Sequence, residues 1–562
     1  MVYRVINLFR REIAGLHEAA ILLGLSSLAS QLLALVRDRL LAGELGAGSE
    51  LDVYYSAFRL PDLIYATIAS FVSVTVLIPL LSQKIENGQM SEAKNFMSAI
   101  FSAFILVMAA VSLVSFILMP FLVDLIAPGF SSSAHQSLIL LARILLLSPI
   151  LLGLSNLFGS VTQTYKKFLL YSLCPVFYNL GIIVGIVVFY PRWGLPGIVW
   201  GVILGAFFHF LIQMPALIEH GFAPSFSLKK IKTNWLEVKK VVLISLPRTI
   251  TLSSNQLALM MVIALASILG EGAISVFNLS YNLQSVPLSI IGVSYSVAAF
   301  PTLAKLFTRG HLKEFFEKIK EAGQHIIFWS LPAMVLLIVL RAQIVRVVLG
   351  SGEFDWVATR LTAACVAMFA ISAVAQGLIQ LFIRAYYAGG RTKKPLWANV
   401  FSSVLIVVLA YVLTDFYISW PTFKGFIEMI FRVRGLPGTS ILMLPLAFTF
   451  GSLVNIILLL LMFKKDFKFE FWPLWKTFGL TLIASLLGGA VSYQSLNWFD
   501  NFFDINTFLG IFAQGFSAGL IGLFFVFVAL WFLGSQELRH LLISLRRKFW
   551  RVEVVRPEPE EL

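Results

Sequence analysis

The chain has 562 residues, 59% of them hydrophobic and 13% charged, with a formal net charge of +14. A soluble protein of this size carries about a quarter charged residues, so the composition excludes a soluble enzyme and predicts an all-α, polytopic membrane protein. The two cysteines, Cys174 and Cys365, both fall inside apolar stretches, which excludes a disulfide framework or a thiolate metal site. In chain order, the first element is a basic, amphipathic stretch with Arg4, Arg10 and Arg11. It lacks a short apolar core followed by a cleavage site, and reads as an uncleaved cytoplasmic anchor.

The second element is the densest in charge. SQLLALVRDRLLAGELGAGSELDVYYSAFRLPDL, residues 30–63, sets Arg37, Asp38, Arg39, Asp52, Arg59 and Asp62 in or beside the first two apolar segments. An ionisable side chain in a bilayer costs roughly 2.5–3.5 kcal/mol on insertion scales, so it faces a polar cavity more often than lipid. Arg37 to Arg39 also lie near the end of their helix, where snorkelling to the interface is the alternative.

Windows of about 20 apolar residues predict about fourteen spans, centred near residues 30, 68, 110, 150, 180, 207, 252, 288, 335, 372, 405, 450, 482 and 520. Alternate connections are basic: Lys84 and Lys94; Lys166 and Lys167; Lys229 to Lys240; Lys305 to Lys320; Arg391 to Lys394; Lys464 to Lys468. The tail continues the series with Arg546, Arg547, Lys548 and Arg551. The intervening connections are neutral or acidic. By the positive-inside rule both termini and every basic loop are cytoplasmic, which accounts for the net charge without nucleic acid. One outer connection departs from this: residues 421–435 place Lys424, Glu428 and Arg432 at i, i+4, i+8, with Phe423, Phe426, Ile427 and Ile430 largely opposite. That spacing predicts an amphipathic interfacial helix.

Two stretches align at a constant offset of 222 residues: Pro79, Leu81, Gly88 and Glu92 match Pro301, Leu303, Gly310 and Glu314. TYKKF after the fourth span is similar to RTKKP after the tenth. Parallel repeats of this kind predict two six-helix lobes with a substrate site between them, residues 1–220 and 221–465. Two additional helices over 466–535 and a basic tail over 536–562 follow. No Walker sequence is present, so direct ATP hydrolysis is not expected. The histidines show no metal spacing and no nucleophile elbow stands on a helix, so neither enzyme chemistry nor a cofactor is expected; His135 and His209 read as structural.

At this point VRDRLLAGELGAGSELDVYYSAFRLPDL resembles the first-to-second helix signature of the MviN/MurJ lipid II flippases, within the multidrug/oligosaccharidyl-lipid/polysaccharide exporter superfamily. The matching residues are Arg37, Asp38, Gly46, Ala47, Gly48, Asp52, Tyr54, Ala57, Phe58, Arg59 and Pro61. IAPGF and RAYYAGGRTKKP also look like family segments. The resemblance implies a flippase of the bacterial cytoplasmic membrane that moves an undecaprenyl-diphosphate-linked peptidoglycan precursor by alternating access. Its partners would be that lipid, with a diphosphate head group and a prenyl tail, the membrane lipids, and cell-wall synthesis proteins.

The resemblance further implies a cationic cavity, and here the chain departs from the family. Positions where the family carries arginine are Gln31, Tyr65, Ala66 and Asn282, and a nearby acidic position is Ser70. Arg37 is retained and is expected to meet the diphosphate, with Asp38 orienting or neutralising it. Gln31, Asn282, Gln284 and Gln256 are expected to bond sugar or peptide groups, and Asp52, Arg59 and Pro61 to act at an outer gate. Arg143 and Arg248 either supply compensating charge or partner backbone carbonyls. The losses leave open an exporter of another lipid-linked oligosaccharide or amphiphile, or a non-transporting scaffold.

Overall fold

A computed structural model of the chain describes residues 16–72, 74–222, 225–539 and 541–543. The basic residues expected at both ends, Arg4 to Arg11 and Arg546 to Arg551, lie outside them. The described residues form helices and turns without a strand. Helix α1 is Leu16–Leu45. The second expected span is segmented into α2 (Ser49–Ala57), α3 (Arg59–Ile68) and α4 (Val74–Glu86). Pro61 explains one break, because it lacks the N–H that would reach the carbonyl of Ala57.

Twelve helices long and apolar enough to cross a membrane follow among the described residues. They are α5 (Met90–Ile126), α6 (Ser132–Thr164), α7 (Phe168–Trp193), α8 (Leu195–Glu219), α9 (Trp235–Ile268), α10 (Ala273–Thr308), α11 (Leu312–Val339), α12 (Trp356–Ala388), α13 (Lys393–Ser419), α14 (Thr439–Phe467), α15 (Trp472–Phe499) and α16 (Phe508–Phe532). Together with α1 and the segmented second element, they occupy the positions read from the sequence. With no water to satisfy backbone groups in lipid, helices are the solution such a composition must take.

The offset repeat is visible in local geometry. Gly88 and Gly310 both adopt positive φ, at 75° and 76°. Each ends its helix with the same pair of bonds, Gly88 N to Ile85 O and Gln89 N to Lys84 O, matched by Gly310 N to Phe307 O and His311 N to Leu306 O. This is a Schellman cap, repeated bond for bond.

The chain divides into two compact units. The first comprises Met1–Val286, Val345–Ser372 and Arg391–Leu459. Within it α7 and α8 pack backbone to backbone through two opposed small-xxx-small motifs, Gly181/Gly185 and Gly201/Gly205. A Cβ on Gly185 would come 2.6 Å from the Cα of Gly201, and one on Gly181 would land on the backbone of Gly205. Close approach of this kind replaces the hydrophobic effect as the drive for helix association in lipid. Leu113, Val114, Ile117 and Phe121 on α5 are exposed, as a lipid-facing stripe requires.

The second unit comprises Pro287–Ile344, Ala373–Gly390 and Leu460–Leu562. Its core joins Phe328 of α11 to Ala484 of α15 and to Val526 and Leu530 of α16. Beyond α16, Glu537 ties the chain back: it accepts from Thr477 Oγ1 at 2.5 Å, Gln324 Nε2 at 3.1 Å and Ser535 Oγ at 2.7 Å.

The expected amphipathic helix in 421–435 is present as Pro421–Phe431, with one correction. Glu428 is not on a solvated face. It is buried and accepts from Tyr417 Oη at 3.2 Å and Thr439 Oγ1 at 2.8 Å. Arg432 lies past the helix end in the left-handed region, at φ 58°.

Candidate functional site

Arg37 and Asp38 sit about two turns before the end of α1 and form the centre of a polar cluster within the first unit. Arg37 donates through Nε at 2.9 Å and Nη2 at 2.7 Å to Asp38 Oδ1, and through Nη1 at 3.0 Å to Asn179 Oδ1 of α7. Asn282 Nδ2 of α10 donates to the other oxygen of Asp38 at 3.1 Å. Asn179 is held in turn, donating to Ser30 Oγ at 3.2 Å and to the carbonyl of Pro175 at 3.1 Å.

A guanidinium has five N–H groups, and three are used. One N–H on each terminal nitrogen of Arg37 is left, on a side chain that is 20% exposed. Charge-assisted N–H groups of this kind suit the oxygens of a phosphate.

Along α2 and α3 a second set of contacts joins these helices to the start of α10. Asp52 accepts from Gly272 N at 2.7 Å, Ser275 N at 2.7 Å and Ser275 Oγ at 2.5 Å. Its carboxylate thus caps the N-terminus of α10, where donors are unpaired and the helix dipole favours negative charge. Glu271 returns the contact, accepting from Ser49 N at the start of α2 at 3.0 Å. The two helix starts therefore cap one another.

Backbone proximity seals the same place. A Cβ on Gly46, which has φ 62°, would meet the carbonyl of Glu353 at 2.9 Å, and Glu353 N donates to Gly43 O at 2.9 Å. Gly46 of the GAG sequence is needed both for conformation and for room. Arg59 is buried and donates to Asn278 Oδ1 at 2.7 Å and to the carbonyl of Tyr55 at 3.2 Å.

The remaining expected residues lie on α1, α6, α9 and α10. Gln31 is half-buried on α1 and Gln256 half-buried on α9. Gln284 is fully buried on α10. Arg143 donates to the carbonyl of Phe116 at 3.1 Å, with its guanidinium 4.5 Å from the centre of that ring. Arg248 is exposed on α9. Tyr65 accepts from Asn156 Nδ2 at 2.7 Å. His209 bonds Ser155 Oγ at 2.7 Å and His135 the carbonyl of Ala127 at 2.8 Å. Both histidines therefore join neighbouring segments of their own helical layer.

Asn179, Asn278, Ser275 and Glu271 were not anticipated. The signal that could have found the first two is a lone amide in an otherwise apolar helix, since such a group must find a partner.

A family model described as "Lipid II flippase MurJ" matches residues 41–513. The chain belongs to the MurJ family of lipid II flippases. It is 26% identical over 498 residues to a probable lipid II flippase MurJ of Rhizobium tropici, a match covering 85% of this chain and 87% of the relative. A solved lipid II flippase MurJ in an inward closed conformation superposes with a TM-score of 0.72 at 22% identity, covering 93% of this chain and all of that one. An inward-facing multidrug transporter of the MATE family follows at TM-score 0.62 and 15% identity, over 80% and 96%. The fold implied by the resemblance is thus the fold observed. A MurJ protein is a multi-pass transporter of the bacterial inner membrane and not an enzyme, so the Arg37 cluster is a question of binding and passage.

Proposed function

We propose that this chain moves lipid II across the inner membrane by alternating access between its two repeats, with the diphosphate received at Arg37. The observation that carries the reading is the Arg37–Asp38 pair, with Asn179 bonded to Arg37 and Asn282 to Asp38, and with two guanidinium N–H groups still to give. Asp38 neutralises Arg37 while the site is empty, and the diphosphate takes over that role on binding. Arg248, Gln31, Gln256 and Asn282 supply further contacts to the head group. The prenyl tail stays in lipid, so only the polar head needs a protein path.

Asp52 and Arg59 form the outer gate, with the break at Pro61 as its pivot. The basic alternate loops orient both termini to the cytoplasm, which places the capped ends of α2 and α10 outside. In cells depleted of their native flippase, Arg37→Ala should abolish complementation while membrane levels of the protein are unchanged. Full complementation by that variant would sink the role given to Arg37.

A further inference from the structure

From the α8–α9 connection into the first turns of α9 the chain runs through SFSLKKIKTNWLEVKK, residues 225–240, whose two kinds of side chain separate in space. One set fastens the segment to α5. Lys230 Nζ donates to Ser98 Oγ at 3.3 Å and Ser225 Oγ at 3.2 Å, and Ser227 N donates to Ser102 Oγ at 2.9 Å. At the far end Glu237 pairs with Lys84 at 2.7 Å. The segment is therefore built onto the bundle and held in one presentation.

The other set points away. Phe226, Leu228 and Trp235 are more than half exposed and Leu236 is 80% exposed, interleaved with exposed Lys229, Lys232, Lys239 and Lys240. Immediately after these lysines, Leu243, Ile244, Leu246 and Ile250 form the exposed apolar stripe of α9. That stripe must face acyl chains, which puts the lysines and Trp235 at the level of the lipid head groups, where tryptophan is favoured. A neutral bilayer would satisfy the apolar residues but not four ammonium groups set among them.

We infer that residues 225–240 form a binding surface for anionic phospholipid, with Phe226, Leu228, Trp235 and Leu236 seated among the upper acyl carbons and the four outward lysines on phosphates. Charge complementarity selects the occupant: each basic residue at such a surface strengthens attachment to anionic lipid, and salt weakens it within a Debye length.

The test uses the full-length protein in nanodiscs of phosphatidylcholine doped with brominated phosphatidylglycerol or, at equal bromine, brominated phosphatidylcholine. The Trp235 contribution to fluorescence is isolated by difference from Trp235→Phe. Brominated phosphatidylglycerol should quench that component more strongly, and added salt should erase the difference. Replacing Lys229, Lys232, Lys239 and Lys240 by Gln should remove the preference, by about fivefold in relative lipid affinity per lysine at low salt. Equal quenching by the two lipids in the unaltered protein overturns the inference. So does a preference that survives in the four-lysine variant with an unchanged melting temperature. Because the readout is lipid contact and not flipping, failure here leaves the role of Arg37 unaffected.

Discussion

Asp52→Ala is the most informative single perturbation of the closed end. Its carboxylate serves three donors, two of them backbone N–H groups at the start of α10, and is almost completely buried. Alanine leaves those two N–H groups without an acceptor. A buried unpaired donor costs about 1–3 kcal/mol, so the pair costs roughly 2–6 kcal/mol. Removal of a buried carboxylate offsets part of this. A net loss of about 3 kcal/mol corresponds to a shift of roughly 150-fold between joined and parted ends.

Asp52→Asn keeps one oxygen for Ser275 but turns an amide N–H₂ toward another donor, so roughly half the effect is expected. The assay is the rate at which a cysteine placed at Ala47 reacts with a membrane-impermeant maleimide. The background is low because Cys174 and Cys365 are both buried. Labelling should accelerate by one to two orders of magnitude in Asp52→Ala and by less in Asp52→Asn, with complementation lost in parallel. Unchanged labelling in both variants would refute the idea that reciprocal capping holds this end shut.

Two further outcomes are expected. Gly201→Leu must push α7 from α8, since its Cβ would enter the backbone of Gly185; overpacking costs about 1–3 kcal/mol even where side chains can yield, and a lowered melting temperature should accompany lost flipping. Gly479→Ala, whose Cβ meets nothing within 4 Å, should instead raise stability by up to about 1 kcal/mol through helix propensity. Glu537 gives a pH dependence: desolvation raises its pKa, but bonds from Thr477, Ser535 and its own N–H, with His325 nearby, outweigh this and hold it below the ordinary 4.5. A depressed carboxylate stabilises the fold above its unfolded pKa and loses that contribution as pH falls through the folded one. Amide exchange around Ser535 to Leu538 should therefore accelerate as pH falls below 4.5 once corrected for intrinsic rates, and Glu537→Gln should flatten that response.

The fold was legible because lipid leaves the backbone few choices. Long apolar runs had to be helices, and the alternation of lysine-rich loops supported their number. The junction of α2 and α3 with α10 was partly legible: Asp52 and Arg59 stood out as charges in apolar surroundings. Their partners did not, because Gly272, Ser275 and Asn278 lie more than two hundred residues away and carry no charge. Arg143 shows the opposite difficulty. In sequence it resembles Arg37, an arginine in an apolar run, yet a carbonyl and an aromatic ring of α5 satisfy it. Glu428 likewise fits the polar stripe of a surface helix until the fold brings Tyr417 and Thr439 over it. Spacing assigns a residue to a face, but only packing decides what that face meets.

The most consequential of these partners is Asn282. Its amide donates to Asp38 at a position where the resemblance implies an arginine, so Arg37, Asp38 and Asn282 together carry no net charge. A second arginine there would have left one positive charge over. At an effective dielectric of about 20, a unit charge about 4 Å away is worth about 4 kcal/mol, so the exchange weakens the pull on a diphosphate substantially. If Arg37 receives that group as proposed, binding starts at its two remaining N–H groups and is completed by taking over the contacts of Asp38, not by attraction to an open cation. Such a site holds its ligand less tightly and gives it up more readily, because the departing diphosphate is replaced at once by a carboxylate already in place. For a protein that must release its cargo on the far side of the membrane, the internal counter-ion then serves the release step as much as the empty state.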